Sequence, residues 1–190
     1  CIFKHGDDSR QDQLALQLIS LTNAVLRVDR LAATACPYVV LPTQPDAAVI
    51  EVLPGCRSRD QIGKVLDGPL IDYYTHQFGP VGTRAFADAQ WNFLRSLAAY
   101  AVISYLLQVK DRHNGNILYD SEGHIAHIDF GFIFERSPGG NIKFESSPFK
   151  LTREMIDVLG GDPTTEAFQA FVQLTVQVFL SLRRRMCYVM

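Results

Sequence analysis

Gln108–Glu135, QVKDRHNGNILYDSEGHIAHIDFGFIFE, sets an acid, an amide and a second acid around a loop and a hairpin. Asp111 is followed five positions later by Asn116, and Asp129 opens an Asp-Phe-Gly turn. Asn116–Tyr119 and Ile125–Asp129 are short β-rich runs flanking Ser121-Glu122-Gly123, which is hairpin composition. A hairpin brings its two ends together, so Asn116 and Asp129 are expected to meet. Both offer oxygen, the donor that Mg²⁺ prefers. Phosphoryl transfer is chiefly positioning and charge neutralisation, and it asks for this kind of set.

The spacing matches the kinase template of a catalytic Asp, an Asn five positions on and an Asp-Phe-Gly turn. The order here is Asp-Arg-His where protein kinases have His-Arg-Asp. Histidine titrates near neutrality, so His113 can take a hydroxyl proton; Asp111 can instead do so, or orient His113. Both are candidate catalytic residues, with the acceptor left open. Arg112 is expected to brace the loop. His124 and His127 lie three apart on a strand, facing opposite sides, and read as structural.

Upstream, KHGDDSRQD places Lys4 at a strand end and Asp12 eight residues later on the next helix. This mirrors the kinase lysine–acid pair, with Lys4 on ATP phosphates and Asp12 holding it. Asp7 or Asp8 suits a helix-capping acid. Tyr38 and the apolar run Val49-Ile50-Glu51-Val52 fit an adenine pocket, where a strand leading into a connector offers backbone N–H and C=O groups.

Around these motifs the pattern is α+β, with the β part leading. A strand is under way at Cys1, and Arg10–Asp29 is helical on the spacing of Leu14, Leu18, Leu21 and Val25. Tyr38–Leu41 and Ala47–Leu53 suggest a hairpin, separated by Pro42, Pro45 and Asp46. Ser58 and Gln61 form a capping-box signature for a helix to about Val65. Helices follow over Leu70–Phe78, Thr83–Gln108, Thr152–Leu159 and Thr164–Arg184. Phe130–Lys150 is loop-like.

Bulk composition excludes several classes. With 190 residues, 47% apolar content and a net charge of −2, the chain is globular and carries no nucleic-acid footprint. Cys1, Cys36, Cys56 and Cys187 lack any CxxC spacing and read as reduced thiols of a cytosolic protein. No apolar run is long enough to span a membrane.

IFKHGDDSRQDQLALQLI, PYVVLPTQPDAAVIEV, the 108–141 stretch and KLTREMIDVLGG together resemble the catalytic core of type III phosphatidylinositol 4-kinases. SRDQIG and SPGGN make the alpha subfamily the nearest resemblance. That resemblance implies a bilobal, protein-kinase-like phosphoinositide kinase fold. Residues 1–53 would be the end of the small lobe and 54–190 the helical lobe, with a catalytic loop at 109–117 and an activation loop at 129–150. It implies ATP with Mg²⁺ or Mn²⁺, metal held by Asn116 and Asp129, Glu51 and Val52 at the hinge, and Leu118 and Ile128 on the pocket floor. The implied reaction is γ-phosphoryl transfer to the 4-hydroxyl of the inositol ring of phosphatidylinositol at a cytoplasmic membrane face. Protein subunits that regulate or recruit the enzyme are implied too. The alternatives are a phosphatidylinositol 3-kinase, a protein kinase of the superfamily, or a non-catalytic scaffold. Intact Lys4, Asp111, Asn116 and Asp129 argue against a scaffold. The family leads one to expect Gly where Ala48 stands.

The substrate segment adds a physical argument. Between Phe130 and Lys150 the cations are Arg136, Lys143 and Lys150 against Glu135 and Glu145, a net of +1 without a cluster. An inositol ring already carrying phosphomonoesters would need more. Phe130, Phe132, Ile133, Phe134 and Phe144 make the segment apolar; at least half are expected to pack beneath it, the rest to suit a bilayer surface. The chain reads as a fragment cut on both sides. Its phosphate-covering loop is expected before Cys1, leaving the fragment itself nearly inactive.

Overall fold

The computed structural model describes residues 1–136 and 147–185. Twelve elements follow one another in the described residues: β1 (Ile2–His5), α1 (Arg10–Val28), β2 (Val40–Gln44), β3 (Ala47–Ile50), β4 (Arg57–Ser58), α2 (Arg59–Val65), α3 (Leu70–Phe78), α4 (Arg84–Leu107), β5 (Ile117–Tyr119), β6 (Ile125–His127), α5 (Arg153–Val158) and α6 (Glu166–Arg184). This is the expected α+β class, with β1 to β3 leading.

The first sheet has the order β1-β3-β2, all antiparallel, with Lys4 opposite Ala48 and Ile2 opposite Ile50. β2 departs from expectation. It begins at Val40 and runs through Pro42, with a register shift between Pro42 and Gln44, where the sequence suggested Tyr38–Leu41. A proline that cannot donate to a ladder is tolerated here because β2 is an edge strand. β3 stops at Ile50, three residues short of the expected Leu53.

The second sheet has the order β4-β5-β6. β4 was not anticipated, since its two residues carry no periodic signal. Ser58 ends that strand and also caps α2: its hydroxyl accepts from Gln61 N at 3.2 Å, and Gln61 Oε1 accepts from Ser58 N at 2.8 Å. One capping box thus fixes the direction of α2 and the edge of the sheet behind the hairpin. Arg59 then makes two bonds to Glu154, at 2.9 and 2.7 Å, tying α2 to α5.

α4 is the axis of the helical part. Thr83 caps it, accepting from Phe86 N at 3.3 Å, and Gln108 ends it in the left-handed region at φ 48°. Phe93, Leu94 and every residue from Ser96 to Ser104 are buried, so this stretch of α4 is covered on all sides, and the helix packs against α6, α3 and β6 among others. α1 buries Asp12, Ala15, Leu16, Ile19, Val25 and Leu26. Leu14 and Leu21, expected on the packed face, are exposed. Leu18 and Leu21 instead line an apolar groove of about 600 Å³ with Ile103, Leu106 and Phe179. Two apolar stripes lie side by side on this helix, and periodicity alone does not say which is covered.

Candidate active site

β5 and β6 pair with Ile117 opposite His127, and the ladder continues as Ile128 N donates to Asn116 O at 3.1 Å. Asn116 and the residue before Asp129 therefore sit opposite each other, as the hairpin predicted. Asn116 is buried, and its Nδ2 donates to the Asp111 carbonyl at 2.9 Å. With the nitrogen so committed, Oδ1 is the end of the amide left to act as a ligand. That bond also links the loop carrying Asp111 to the hairpin.

Both acids sit in strained backbone. Asp111 and Asp129 each have φ +61°, a region that non-glycine residues rarely occupy and that persists only when surroundings enforce it. The surroundings are visible at Asp129. Its N–H donates to the Tyr38 hydroxyl at 3.2 Å, and its carbonyl accepts from Arg112 Nη2. Arg112, itself buried, also donates to Ile128 O at 2.6 Å and to Lys110 O at 3.0 Å, and lies 5.7 Å from the Phe130 ring. Arg112 is the expected brace. Burial pushes the Tyr38 phenol well above its ordinary value, so it stays protonated.

His113 and Asp111 are adjacent but not bonded: Nε2 lies 3.9 Å from Asp111 Oδ2. His113 Nδ1 accepts from Gly115 N at 3.0 Å. In the neutral ring this leaves the proton on Nε2, pointing the histidine's donor side at Asp111.

The lysine corner differs from expectation. Lys4 Nζ contacts Asp7 Oδ2 at 2.6 Å, and among the described residues it makes no ion pair with Asp12. Partial burial pulls the Lys4 pKa down, but the Asp7 bond and the charges of Asp12, Asp7 and Asp129 outweigh it, and the net shift is upward. Asp12 is buried, and its Oδ1 accepts from Phe130 N at 2.5 Å. Its Oδ2 has no hydrogen-bond partner among the described residues, and burial raises its pKa. Asp12 thus holds the Asp-Phe-Gly backbone rather than the lysine. Asp7 wins Lys4 because it lies three residues on, past the tight turn at Gly6, where φ is +85°. Asp8 supplies the helix-start bond, accepting from Arg10 N at 3.1 Å.

Lys4, Asp12, Tyr38 and Asp129 open onto one cleft of about 340 Å³, whereas Asp111, His113 and Asn116 are not among its lining residues. Of the residues expected around ATP, Lys4, Asp12, Tyr38, Glu51, Val52, Leu118 and Ile128 all line it, together with Asp129. Ile2, Val40, Ile50, Leu53, Cys56 and Gln61 also line it. The strand residues among them carry only the ordinary signal of buried β, so sequence could not single them out. Glu51 folds back, its Oε2 accepting from Val39 N at 2.8 Å. Ala48 shares the face of Lys4 across the β1–β3 ladder, yet is not among the cleft-lining residues.

Among the described residues no group of three or more His, Cys, Asp or Glu side chains is placed to hold a metal ion. Mg²⁺ commonly takes one or two protein oxygens and completes its shell with water and phosphate. Asn116 Oδ1 and the Asp129 carboxylate fit that demand. His124 bonds Asp120 at 2.9 Å, and His127 stacks on Tyr100 with ring centroids 4.3 Å apart. Neither histidine lines the cleft, in keeping with a structural role.

In the substrate segment, Phe130 and Ile133 are buried, Phe132 is half-buried and Phe134 is exposed. Packing beneath the segment therefore claims most of its described apolar residues. Arg136 Nη1 donates to Gln11 Oε1 at 2.8 Å. Lys150 precedes α5, whereas Lys143 and Phe144 lie outside the described residues. Gln11 was missed entirely. It neighbours Asp12 in sequence, but nothing in its spacing marks it.

The family model for phosphatidylinositol 3- and 4-kinase matches residues 1–190. The chain is 53% identical to phosphatidylinositol 4-kinase STT4 of Saccharomyces cerevisiae, over 96% of this chain and 10% of that protein. It is 50% identical to phosphatidylinositol 4-kinase alpha 1 of Arabidopsis thaliana, over 98% of this chain and 9% of that protein. Identity to phosphatidylinositol 4-kinase beta of Rattus norvegicus is 43%, over 97% of this chain and 22% of that protein. The chain spans about a tenth of the length of the first two relatives.

Proposed function

From the premise that the chain belongs to the phosphatidylinositol 3- and 4-kinase family, we propose that it carries the catalytic core of a phosphatidylinositol 4-kinase. The reaction is transfer of the ATP γ-phosphoryl group to the 4-hydroxyl of the inositol ring of phosphatidylinositol. The observation that carries this reading is the β5–β6 ladder. It brings Asn116 opposite Ile128, next to Asp129, which lines the cleft with Lys4, and the Asn116 side chain bonds the Asp111 carbonyl.

The roles follow from the chemistry of each group. Asn116 and Asp129 would hold Mg²⁺ or Mn²⁺, which when bound would neutralise charge on the phosphates. Lys4 meets those phosphates as a point charge. Tyr38, Glu51, Val52, Leu118 and Ile128 enclose the base. The inositol hydroxyl oxygen bonds to the γ-phosphorus while the bond to the β-bridging oxygen breaks, and that electron pair leaves with ADP. The hydroxyl proton goes to Asp111. The Gly115 N–H on His113 Nδ1 supports that assignment, because it leaves His113 presenting a donor rather than an acceptor toward Asp111.

Arg136, Lys143 and Lys150 meet the single diester phosphate of the headgroup. Residues 1–53 serve as the end of the small lobe and 54–190 as the large lobe, with 109–117 and 129–150 as catalytic and activation loops. Among the described residues no helix is long and apolar enough to cross a membrane. Peripheral docking at a cytoplasmic membrane face, aided by recruiting or regulatory proteins, is the matching mode of action.

The test is a lipid kinase assay on the whole protein that carries these residues, with phosphatidylinositol vesicles, labelled ATP and headgroup chromatography. Phosphatidylinositol 4-phosphate is expected, falling by about 10²-fold or more in Asn116→Ala. The 3-phosphate would keep the chemistry and overturn the regiochemistry. No lipid product from folded, ATP-binding protein would overturn the reading.

A further inference from the structure

Gln11 stands in the first turn of α1, one residue before Asp12, and both ends of its amide are engaged. Nε2 donates to Gly131 O at 3.0 Å and to Phe130 O at 3.4 Å, while Oε1 accepts from Arg136 Nη1 at 2.8 Å. Asp12 takes the Phe130 N–H from the same helix turn. The metal-holding turn is therefore gripped by α1 on its donor side by one residue and on its acceptor side by the next.

A side chain with a donor end and an acceptor end is required to serve both contacts at once. Glutamate has the same shape but would set a carboxylate oxygen against two carbonyl oxygens. Lysine would satisfy the carbonyls and confront Arg136 with a like charge. Asparagine is one methylene too short to span the same two partners from the same helix position.

We propose that Gln11 is a positioning residue that couples the turn carrying Asp129 to Arg136 of the substrate segment. The inference rests on the functional reading above, in which Asp129 holds metal and Arg136 faces the lipid headgroup. Arg136 cannot be repositioned without disturbing the amide that fixes the Phe130 and Gly131 carbonyls. Engagement of the headgroup and orientation of the metal acid are thus linked through one neutral side chain.

The experiment compares Gln11→Glu, Gln11→Ala and Arg136→Ala in the whole protein, with phosphatidylinositol vesicles, ATP and a Mg²⁺ titration. Gln11→Glu keeps the acceptor for Arg136 and loses the donor for the turn. Its half-saturating Mg²⁺ should rise, and its kcat should fall, by about tenfold or more, as for outer-shell partners of metal ligands. Its KM for lipid should hold. Arg136→Ala should raise KM for lipid and, because it frees the acceptor end of the Gln11 amide, also raise half-saturating Mg²⁺, though less than Gln11→Glu; an unchanged Mg²⁺ dependence would overturn the coupling. Gln11→Ala should show both effects, and in the Arg136→Ala background it should add nothing further to KM.

A readout apart from turnover is amide hydrogen exchange over residues 128–132. It should quicken in both Gln11 variants and, to a smaller extent, in Arg136→Ala. A merely structural role would lower Tm while leaving the Mg²⁺ dependence, the KM split and that local exchange unchanged, and any such result overturns the proposal. If the unaltered protein makes no lipid phosphate, the functional reading falls and this inference with it. If it does make lipid phosphate and the Gln11 variants match it, the inference alone falls.

Discussion

The hairpin that carries Asn116 and Asp129 and the strand end that carries Lys4 contribute to one cleft under different restraints. On the hairpin side every restraint runs to backbone: Arg112 and Gln11 grip carbonyls, Asp12 and Tyr38 accept N–H groups, and Asn116 donates to the Asp111 carbonyl. Most of those partners are buried. On the lysine side a long flexible side chain meets Asp7, whose own side chain is 59% exposed. A buried, backbone-directed network stores strain and holds one geometry, whereas an exposed ion pair exchanges partners at little cost. The site therefore joins a fixed wall, which carries the proposed metal ligands, to an adjustable one, which carries the lysine proposed to meet phosphate.

The largest expected effect tests the fixed wall. Asp129→Ala removes the proposed metal ligand and should lower turnover by about 10³-fold or more in the lipid kinase assay. Folding should survive, because the backbone bonds around position 129 do not use the Asp129 carboxylate apart from a 3.3 Å contact from Gly131 N. Appreciable turnover in a folded variant would sink the assignment of the hairpin as the metal wall.

Asp12→Asn sharpens the contrast, since Asp12 belongs to the fixed side while sharing the cleft with Lys4. Asparagine keeps an oxygen for the Phe130 N–H and replaces the unpartnered Oδ2 with a neutral donor. Turnover should fall by about 10–100-fold, the usual range for an outer-shell partner. Stability should move the other way. Burial raises the folded pKa of Asp12 above its ordinary 3.8, so its ionised form is disfavoured in the folded state. The favourable contribution is full below the unfolded pKa and is lost as pH rises through the folded one. Thermal melts at pH 7 should thus show the variant as stable as the unaltered protein or more so, with the gap closing on acidification. A variant that is markedly less stable at pH 7 would show that the Asp12 charge is compensated after all.

Beneath the hairpin, His127 gives a smaller effect of defined sign. Burial, then the charge of Arg112, hold its pKa well below the ordinary 6.5, and neither ring nitrogen has a hydrogen-bond partner among the described residues. As pH falls below about 6.5 the unfolded chain takes up a proton that the folded chain refuses, so stability drops with acidification down to the folded pKa. His127→Phe keeps a ring against Tyr100 and should flatten this part of the Tm–pH curve. Parallel curves for the two proteins would mean that the imidazole reaches solvent or a partner.

How much of this was legible beforehand follows the same division. The placement of Asn116 opposite Ile128, beside Asp129, was readable because a hairpin ladder converts sequence spacing into spatial pairing with little freedom. The capping box at Ser58 and Gln61 and the start of α4 at Thr83 were readable for the same local reason. The lysine partner was not, since three acids lie within eight residues of Lys4 and a four-carbon stem reaches more than one of them. The buried face of α1 was not, because Leu14-Leu18-Leu21 and Ala15-Ile19-Leu26 are both apolar stripes at helical spacing. β4 and Gln11 left no trace in pattern, as each is defined only by what it touches across the fold.

The smallest expected effect falls on the adjustable wall. Asp7→Asn removes the carboxylate that Lys4 contacts in this structure. Exposed ion pairs contribute about 0–1 kcal/mol, and for a chain of this size that corresponds to a Tm shift under about 4 °C. Asp12 and Asp129 still act on Lys4 electrostatically in the same cleft, so the ammonium retains anionic neighbours when Asp7 is gone. Melting curves should therefore nearly superimpose, and Mg²⁺-dependent ATP binding should persist in Asp7→Asn while Lys4→Met weakens it. A loss of ATP binding in Asp7→Asn as large as in Lys4→Met would mean that Asp7 alone sets the position of the lysine. The two walls of the cleft would then be equally fixed, and the contrast between them would vanish.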